Sequence, residues 1–191
     1  DADCLVFPKT KLKVLVSEPL KTLGADLLDV FRTPTVHHAA LSFFQGNYRI
    51  EWVTAYRSLP AEHMQEAWLW HSDSFPPRTC KLFLHLTPAT EDTGATEFMS
   101  LADTMTYRRA GYFGQYHSER AQDLEEFAKE RELPYHPFHF DVEAGDATMF
   151  DMNFLHRAVA PKNGTFRDVV QRSEEHTSEL QSPCNLVCRL L

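Results

Sequence analysis

No apolar run in the chain approaches the roughly 20 residues that a membrane-crossing helix needs, and no basic stretch followed by an apolar one marks a secretory leader near the start. Membrane insertion is therefore not expected. Cysteine is scarce, 4 in 191 residues with no regular spacing. A disulfide framework is not expected, and a reducing, cytoplasmic setting is. Cationic side chains are outnumbered, with 19 Lys and Arg against 27 Asp and Glu and a formal net charge of −8. That balance disfavours nucleic acid and acidic membrane surfaces as partners. No internal repeat and no linker divides the chain, so a single domain is expected. The chain begins at Asp1 rather than Met, and an N-terminally shortened domain is expected.

Apolar and aromatic side chains, by contrast, are plentiful. Hydrophobic residues make up 43% of the chain and there are 14 Phe, enough for a packed core. Leu20, Leu23, Leu27, Leu28 and Phe31 recur at helical spacing, predicting a short amphipathic helix that Thr33-Pro34 closes. Val36–Phe44 and Arg49–Arg57 are rich in aromatic and β-branched residues around Gln45-Gly46-Asn47, predicting a hairpin. Glu66–His71, Cys80–Thr87 and Ala95–Met99 read as further strands, and Ser100–Gln115 as irregular. Ser118–Glu132 reads as a charged helix capped by Ser118. Phe138–Val142, Ala147–Asp151, Phe154–Val159 and Phe166–Gln171 complete the strands, with turns at Gly145-Asp146 and Lys162-Asn163-Gly164. Many short strands and few helices predict an all-β sandwich or barrel.

The chemistry concentrates in Trp70-His71-Ser72-Asp73. On an extended segment, side chains two apart share a face, so His71 and Asp73 project together and Ser72 projects away. A second imidazole completes a two-histidine, one-carboxylate facial triad, which leaves open positions and suits non-haem Fe(II). His156, within Phe154–Pro161, is the candidate third ligand. A rival pair, His139 and Asp141, shows the same spacing. His71 and Asp73 are favoured because a pair distant in sequence can sit on another strand and face His156 across a barrel mouth. Arg167 follows His156 after the Gly164 turn. Its planar, two-pronged guanidinium suits a carboxylate.

These residues carry a resemblance. From about Glu66 to Gln171, the pieces Trp70–Asp73, Lys81–Thr87, Glu91–Ala95, Gly145–Ala147 and His156–Arg167 resemble the phytanoyl-CoA dioxygenase-like family of Fe(II)- and 2-oxoglutarate-dependent oxygenases. The resemblance implies a double-stranded β-helix, or jelly roll, with a few flanking helices. It implies His71, Asp73 and His156 as catalytic metal ligands and Arg167 as the residue binding the far carboxylate of 2-oxoglutarate. It also places His85 where relatives can contact the cosubstrate, although a core histidine is the alternative there. The implied cofactors are Fe(II), 2-oxoglutarate and O2. The implied reaction hydroxylates an unactivated C–H bond of a small-molecule substrate, releasing succinate and CO2. A non-enzymatic jelly-roll or cupin-like binding protein is the alternative. Two positions depart from the family pattern, Met99–Ala102 after the Gly94 turn and Ala158 two residues after His156.

The segment Arg172–Leu191 resembles a translated sequencing adapter. Residues 1–171 are therefore expected to form the domain. Residues 172–191 are expected to be a non-native tail that adds nothing to the core.

Overall fold

The computed structural model describes residues 4–6, 13–24, 26–62, 66–73 and 79–176. In chain order these form β1 (Cys4–Val6), β2 (Lys13–Val16), α1 (Pro19–Thr22), α2 (Asp26–Phe31), α3 (Pro34–Phe44), β3 (Tyr48–Ser58), β4 (Thr79–His85), β5 (Glu97–Phe98), α4 (Leu101–Arg109), α5 (Leu124–Glu130), β6 (Ala147–Asp151), β7 (His156–Arg157) and β8 (Arg167–His176). Single 3-10 turns occupy Glu66–Trp68 and His117–Glu119.

The larger sheet has the order β1-β2-β3-β8-β4-β6, with each neighbouring pair antiparallel. β8 lies in its interior, paired on one side with β3 and on the other with β4. β5 and β7 form a second, smaller antiparallel sheet. Single bridges extend it, from His71 to His156 on one flank and from Phe98 to Phe138 on the other.

Strand alternation sends the larger sheet's side chains to two different cores. Tyr56, Phe83, Phe150 and Val169 cluster with Phe98 of the smaller sheet, so this face looks inward between the sheets. Ala55, Leu82, Leu84 and Val170 point the other way and are covered by Phe31 of α2. A third cluster, with Trp70, Met99, Tyr107, Tyr112, Leu124 and Leu155, joins α4 and α5 to the chain around the site.

Several expectations are corrected here. Val36–Phe44 is helix rather than strand. Pro34 occupies the first turn, where its missing N–H costs nothing, and Ala40 and Phe44, four apart, are buried on one face. Burial of that stripe outweighs the strand preference of its aromatic and β-branched residues. The strand expected at Glu66–His71 is a 3-10 turn leading to one bridge. The helix expected over Leu20–Phe31 is two pieces, separated around Gly24, whose φ is +90°. Ser100–Gln115, read as irregular, contains α4. Ser100 Oγ accepts from Asp103 N at 3.0 Å and caps it. The charged helix at 118–132 is shorter than expected and is capped by Asp123 rather than Ser118. Phe138–Val142 makes only bridges, at Phe138 and Val142.

The domain boundary expected at Gln171 is crossed by β8, which runs to His176. Arg172 and Ser173 are buried, so the expectation that nothing from Arg172 onward enters the core does not hold for them. Ladder pairing is made by backbone groups that every non-proline residue carries. β3 and β4 both extend past Gln171 and leave a two-sided slot that the following residues occupy. Residues 177–191 lie outside the described residues, as does most of the expected Ser74–Thr79 loop.

Candidate metal centre and carboxylate pocket

His71, Asp73 and His156 converge, each offering a ligand atom, with those atoms all within 4.8 Å of one another. The smaller sheet brings them together. His71 and His156 exchange both backbone hydrogen bonds, at 3.0 and 2.9 Å, which sets their rings side by side, tilted by 48° with centroids 4.4 Å apart. The extended run continues as Ser72 N donates to Phe113 O and Asp73 N donates to Met152 O. Ser72 turns its hydroxyl away, to Asn153 O at 3.0 Å, leaving Asp73 on the side of His71.

The two imidazoles are held alike. Nδ1 of His71 is 2.7 Å from Leu69 O, and Nδ1 of His156 is 2.8 Å from Phe154 O. A carbonyl only accepts, so each Nδ1 carries the proton and each Nε2 presents a lone pair. Nε2 of His156 is buried with no hydrogen-bond partner. The nearest carboxylate oxygens lie 3.8 Å from His71 Nε2 and 3.3 Å from His156 Nε2. Burial, with the neighbouring His156 imidazole, pushes the His71 pKa well down and keeps the ring neutral. Burial alone would raise the Asp73 carboxyl. The approach of His156 and the charge of Lys81 outweigh it and hold the group well below the ordinary carboxylate range. The two imidazoles and one carboxylate, with His156 Nε2 lacking a hydrogen-bond partner, fit a divalent first-row metal.

The rival pair forms no part of this cluster. His139 Nε2 lies 3.3 Å from Asp141 Oδ1 in a local, more exposed contact.

Arg167 opens β8 and points into the same inter-sheet space as Val169, two residues on. It is 1% exposed. Its Nη1 donates to Thr96 Oγ1 at 3.0 Å, and its Nε has no partner. Among the described residues no carboxylate lies within ion-pairing distance of it. An unneutralised buried guanidinium is costly, and burial draws its pKa down from the usual arginine value. Such a group has the chemistry to receive an anion. His85 lies on the same inner face, with Nε2 3.1 Å from Thr148 Oγ1 and Nδ1 unpartnered. Burial and the nearby Arg167 charge lower its pKa to about 4, so it is neutral at physiological pH. His85, Thr96, Thr148, Phe83 and Phe98 line one small pocket.

Sequence reasoning missed Thr96 and Arg108. Thr96 meets Arg167 across 71 positions with no local signal. Arg108 sits in the helix that was read as irregular, and its Nη2 donates to Asn153 O at 2.6 Å, bracing the turn between β6 and β7. Gly114 lies in the stretch Ser100–Gln115 that was read as irregular. Its φ is +61°, and a Cβ there would lie 2.8 Å from Trp70 O and 3.0 Å from His71 Cα. Gly114→Ala is expected to displace the His71 backbone, weakening metal binding at least tenfold. It should also destabilise the fold by roughly 2–4 kcal/mol from left-handed strain and overlap. Titration calorimetry and urea melts check both.

An antiparallel sandwich with two imidazoles and a carboxylate converging between its sheets defines a class, that of β-sandwich proteins with a side-chain cluster able to hold a metal ion. Within it, the chain belongs to the phytanoyl-CoA dioxygenase (PhyH) family, whose model matches residues 28–169. No match was found among curated protein sequences. Solved structures share the fold at low identity. The epimerase SnoN, in complex with Fe3+, α-ketoglutarate and nogalamycin RO, aligns with a TM-score of 0.65 at 12% identity, over 95% of this chain and 71% of SnoN. HygX from Streptomyces hygroscopicus, with nickel and 2-oxoglutarate bound, gives 0.61 at 9%, over 92% and 74%. EctD from S. alaskensis, with bound Fe, gives 0.61 at 14%, over 96% and 64%. The chain spans 32% of another structural relative, EvdMO1. No described helix is long and apolar enough to cross a membrane.

Proposed function

We propose that the chain is an Fe(II)- and 2-oxoglutarate-dependent oxygenase of double-stranded β-helix architecture that hydroxylates an unactivated C–H bond of a small molecule. The observation that carries this reading is the pairing of two features in one inter-sheet space. One is the His71–Asp73–His156 cluster, and the other is a buried guanidinium, Arg167, that has no carboxylate partner among the described residues. His71, Asp73 and His156 would hold the metal and leave positions for a chelating 2-oxo acid and O2. When bound, iron and cosubstrate supply the oxidising chemistry, and the protein positions and shields it.

The chain's own residues do the rest. The carbonyls of Leu69 and Phe154 hold both Nδ1 protons, so that both Nε2 lone pairs face the metal position. Arg167, steadied by Thr96, takes the far carboxylate of the cosubstrate in a charge-assisted pair. His85 is neutral and lies on the same inner face of the sheet, where it would wall the cosubstrate without competing for its negative charge. Asp73 favours hydroxylation over halogenation, which needs that ligand position free for halide. The relatives' small-molecule ligands support a small-molecule substrate here.

A cupin-like binding protein using the same three ligands needs no cation where Arg167 stands, and this ranks it second. The adapter reading of Arg172–Leu191 concerns the origin of those residues. It is compatible with strand pairing over 172–176, since the pairing is made by the backbone.

The test is turnover. Purified protein supplied with Fe(II), ascorbate and O2 is expected to convert 2-oxoglutarate to succinate and CO2, at least slowly without prime substrate. Metal uptake with no 2-oxoglutarate consumption and no 2-oxoglutarate binding would leave the cupin-like reading in its place.

A further inference from the structure

Lys81 is a lone cation in the apolar strand β4, where alternation with Phe83 and His85 turns it inward. Its Nζ lies 2.6 Å from Asp73 Oδ2, with side chains only 12% and 15% exposed. Oδ2 is also the oxygen facing His156, 3.3 Å from its Nε2. Oδ1 faces His71 at 3.8 Å, and among the described residues no cation lies against it. The two oxygens of one ligand carboxylate are therefore chemically unequal.

We propose that Lys81 is a positioning residue that occupies Oδ2 and restricts Asp73 to one-oxygen ligation through Oδ1. The proposal rests on the metal-site reading above and goes beyond its ligand set. A carboxylate that binds through both oxygens fills one further coordination position. With two imidazoles already bound, that leaves two positions, too few for a two-point 2-oxo acid and O2 together. An ammonium held on one oxygen by a charge-assisted hydrogen bond keeps that position open. The same charge opposes the metal by Coulomb repulsion. Lys81 thus gives up metal affinity in exchange for room for the cosubstrate.

The inference separates two measurements that a merely structural lysine would move together. Mn(II) is titrated calorimetrically into metal-free protein, and 2-oxoglutarate is then titrated anaerobically into the Mn(II)-loaded form. Lys81→Met keeps the aliphatic stem and removes the charge. It is expected to bind Mn(II) about five- to twentyfold more tightly, since a nearby positive charge is gone, and 2-oxoglutarate at least fivefold more weakly. Lys81→Arg, which keeps a cationic donor, is expected to restore both values to within about twofold. Lys81→Gln keeps a donor without charge and serves where the methionine variant fails to fold. Its Mn(II) affinity is expected to rise as well, and circular dichroism confirms folding for each.

Unchanged or weaker Mn(II) binding in both neutral variants overturns the role of Lys81 while leaving the metal site standing. Tighter Mn(II) binding with unchanged 2-oxoglutarate affinity overturns the one-oxygen ligation. A wild-type protein that takes up no Mn(II) removes the metal site itself, and the proposal with it.

Discussion

Asp73→Asn is expected to abolish metal uptake at micromolar concentrations, a loss of at least a hundredfold, and to destabilise the metal-free protein. The first effect follows from the donor set. An imidazole carries no negative charge in either protonation state, so Asp73 supplies the only negative charge among the three groups. The second follows from Lys81, whose ammonium lies 2.6 Å from the Asp73 carboxylate. Replacing the carboxylate with a neutral amide leaves a largely buried cation without its counter-charge. Breaking one partner of such a pair costs roughly 3–5 kcal/mol when burial is full. The residual exposure of both side chains brings the expectation to about 2–3 kcal/mol. Calorimetric Mn(II) titration and chemical denaturation read the two effects independently. Retained micromolar Mn(II) affinity in the folded variant would remove Asp73 from the ligand set.

Arg167→Met is expected to separate cosubstrate binding from folding. The wild-type guanidinium is buried against Thr96, with an unpartnered Nε and no carboxylate within ion-pairing distance among the described residues. Removing an uncompensated buried charge does not weaken the metal-free fold and is expected to leave it as stable or more stable. Removing the cation that faces a carboxylate has the opposite effect on the complex. Hydrogen bonds to charged groups are worth about 1.5–3 kcal/mol each, so loss of a two-pronged contact is expected to weaken 2-oxoglutarate binding by at least a hundredfold. Mn(II) affinity is expected to change little. A thermal-shift assay with Mn(II), with and without 2-oxoglutarate, distinguishes the cases. Wild type should gain stability on adding the cosubstrate, and Arg167→Met should not. An equal cosubstrate shift in both proteins would mean that Arg167 does not bind it.

The local spacing of the site was legible because it depends on few assumptions. Two side chains two apart on an extended segment must share a face, whatever the rest of the chain does. That rule placed His71 beside Asp73 even though the segment is not the regular strand that was expected, because one bridge to His156 is enough to hold it extended. The same rule turned Lys81 and His85 inward from β4. Local rules were weakest where two periods compete. In 36–44 the residues Val36, Ala40 and Phe44 fit a helix, while the aromatic and β-branched content fits a strand. Burial of Ala40 and Phe44 against the larger sheet decided for helix, and Pro34 at the first turn was the overlooked local signal. Helix α4 was missed because only Thr104 and Tyr107 of it are buried, too few to write an apolar period.

By itself the sequence determined the composition of a packed, acidic domain, the candidate ligands His71, Asp73 and His156, and the cation Arg167 on a strand after the Gly164 turn. The composition and the His71/Asp73 pair follow from residue type and short-range spacing, whereas His156 and Arg167 were singled out by the resemblance to the phytanoyl-CoA dioxygenase-like family. The tertiary structure alone decided which His-x-Asp pair meets His156, since two pairs of equal spacing were available and only a long-range bridge distinguishes them. It alone decided that Arg167 has Thr96 beside it, that Lys81 sits on Oδ2 of Asp73, and that β8 runs past Gln171 between β3 and β4. The physical reason is common to all of these. Contacts between residues remote in sequence are fixed by how strands are ordered and registered in the sheets, and neither order nor register is written in the local period of any one strand.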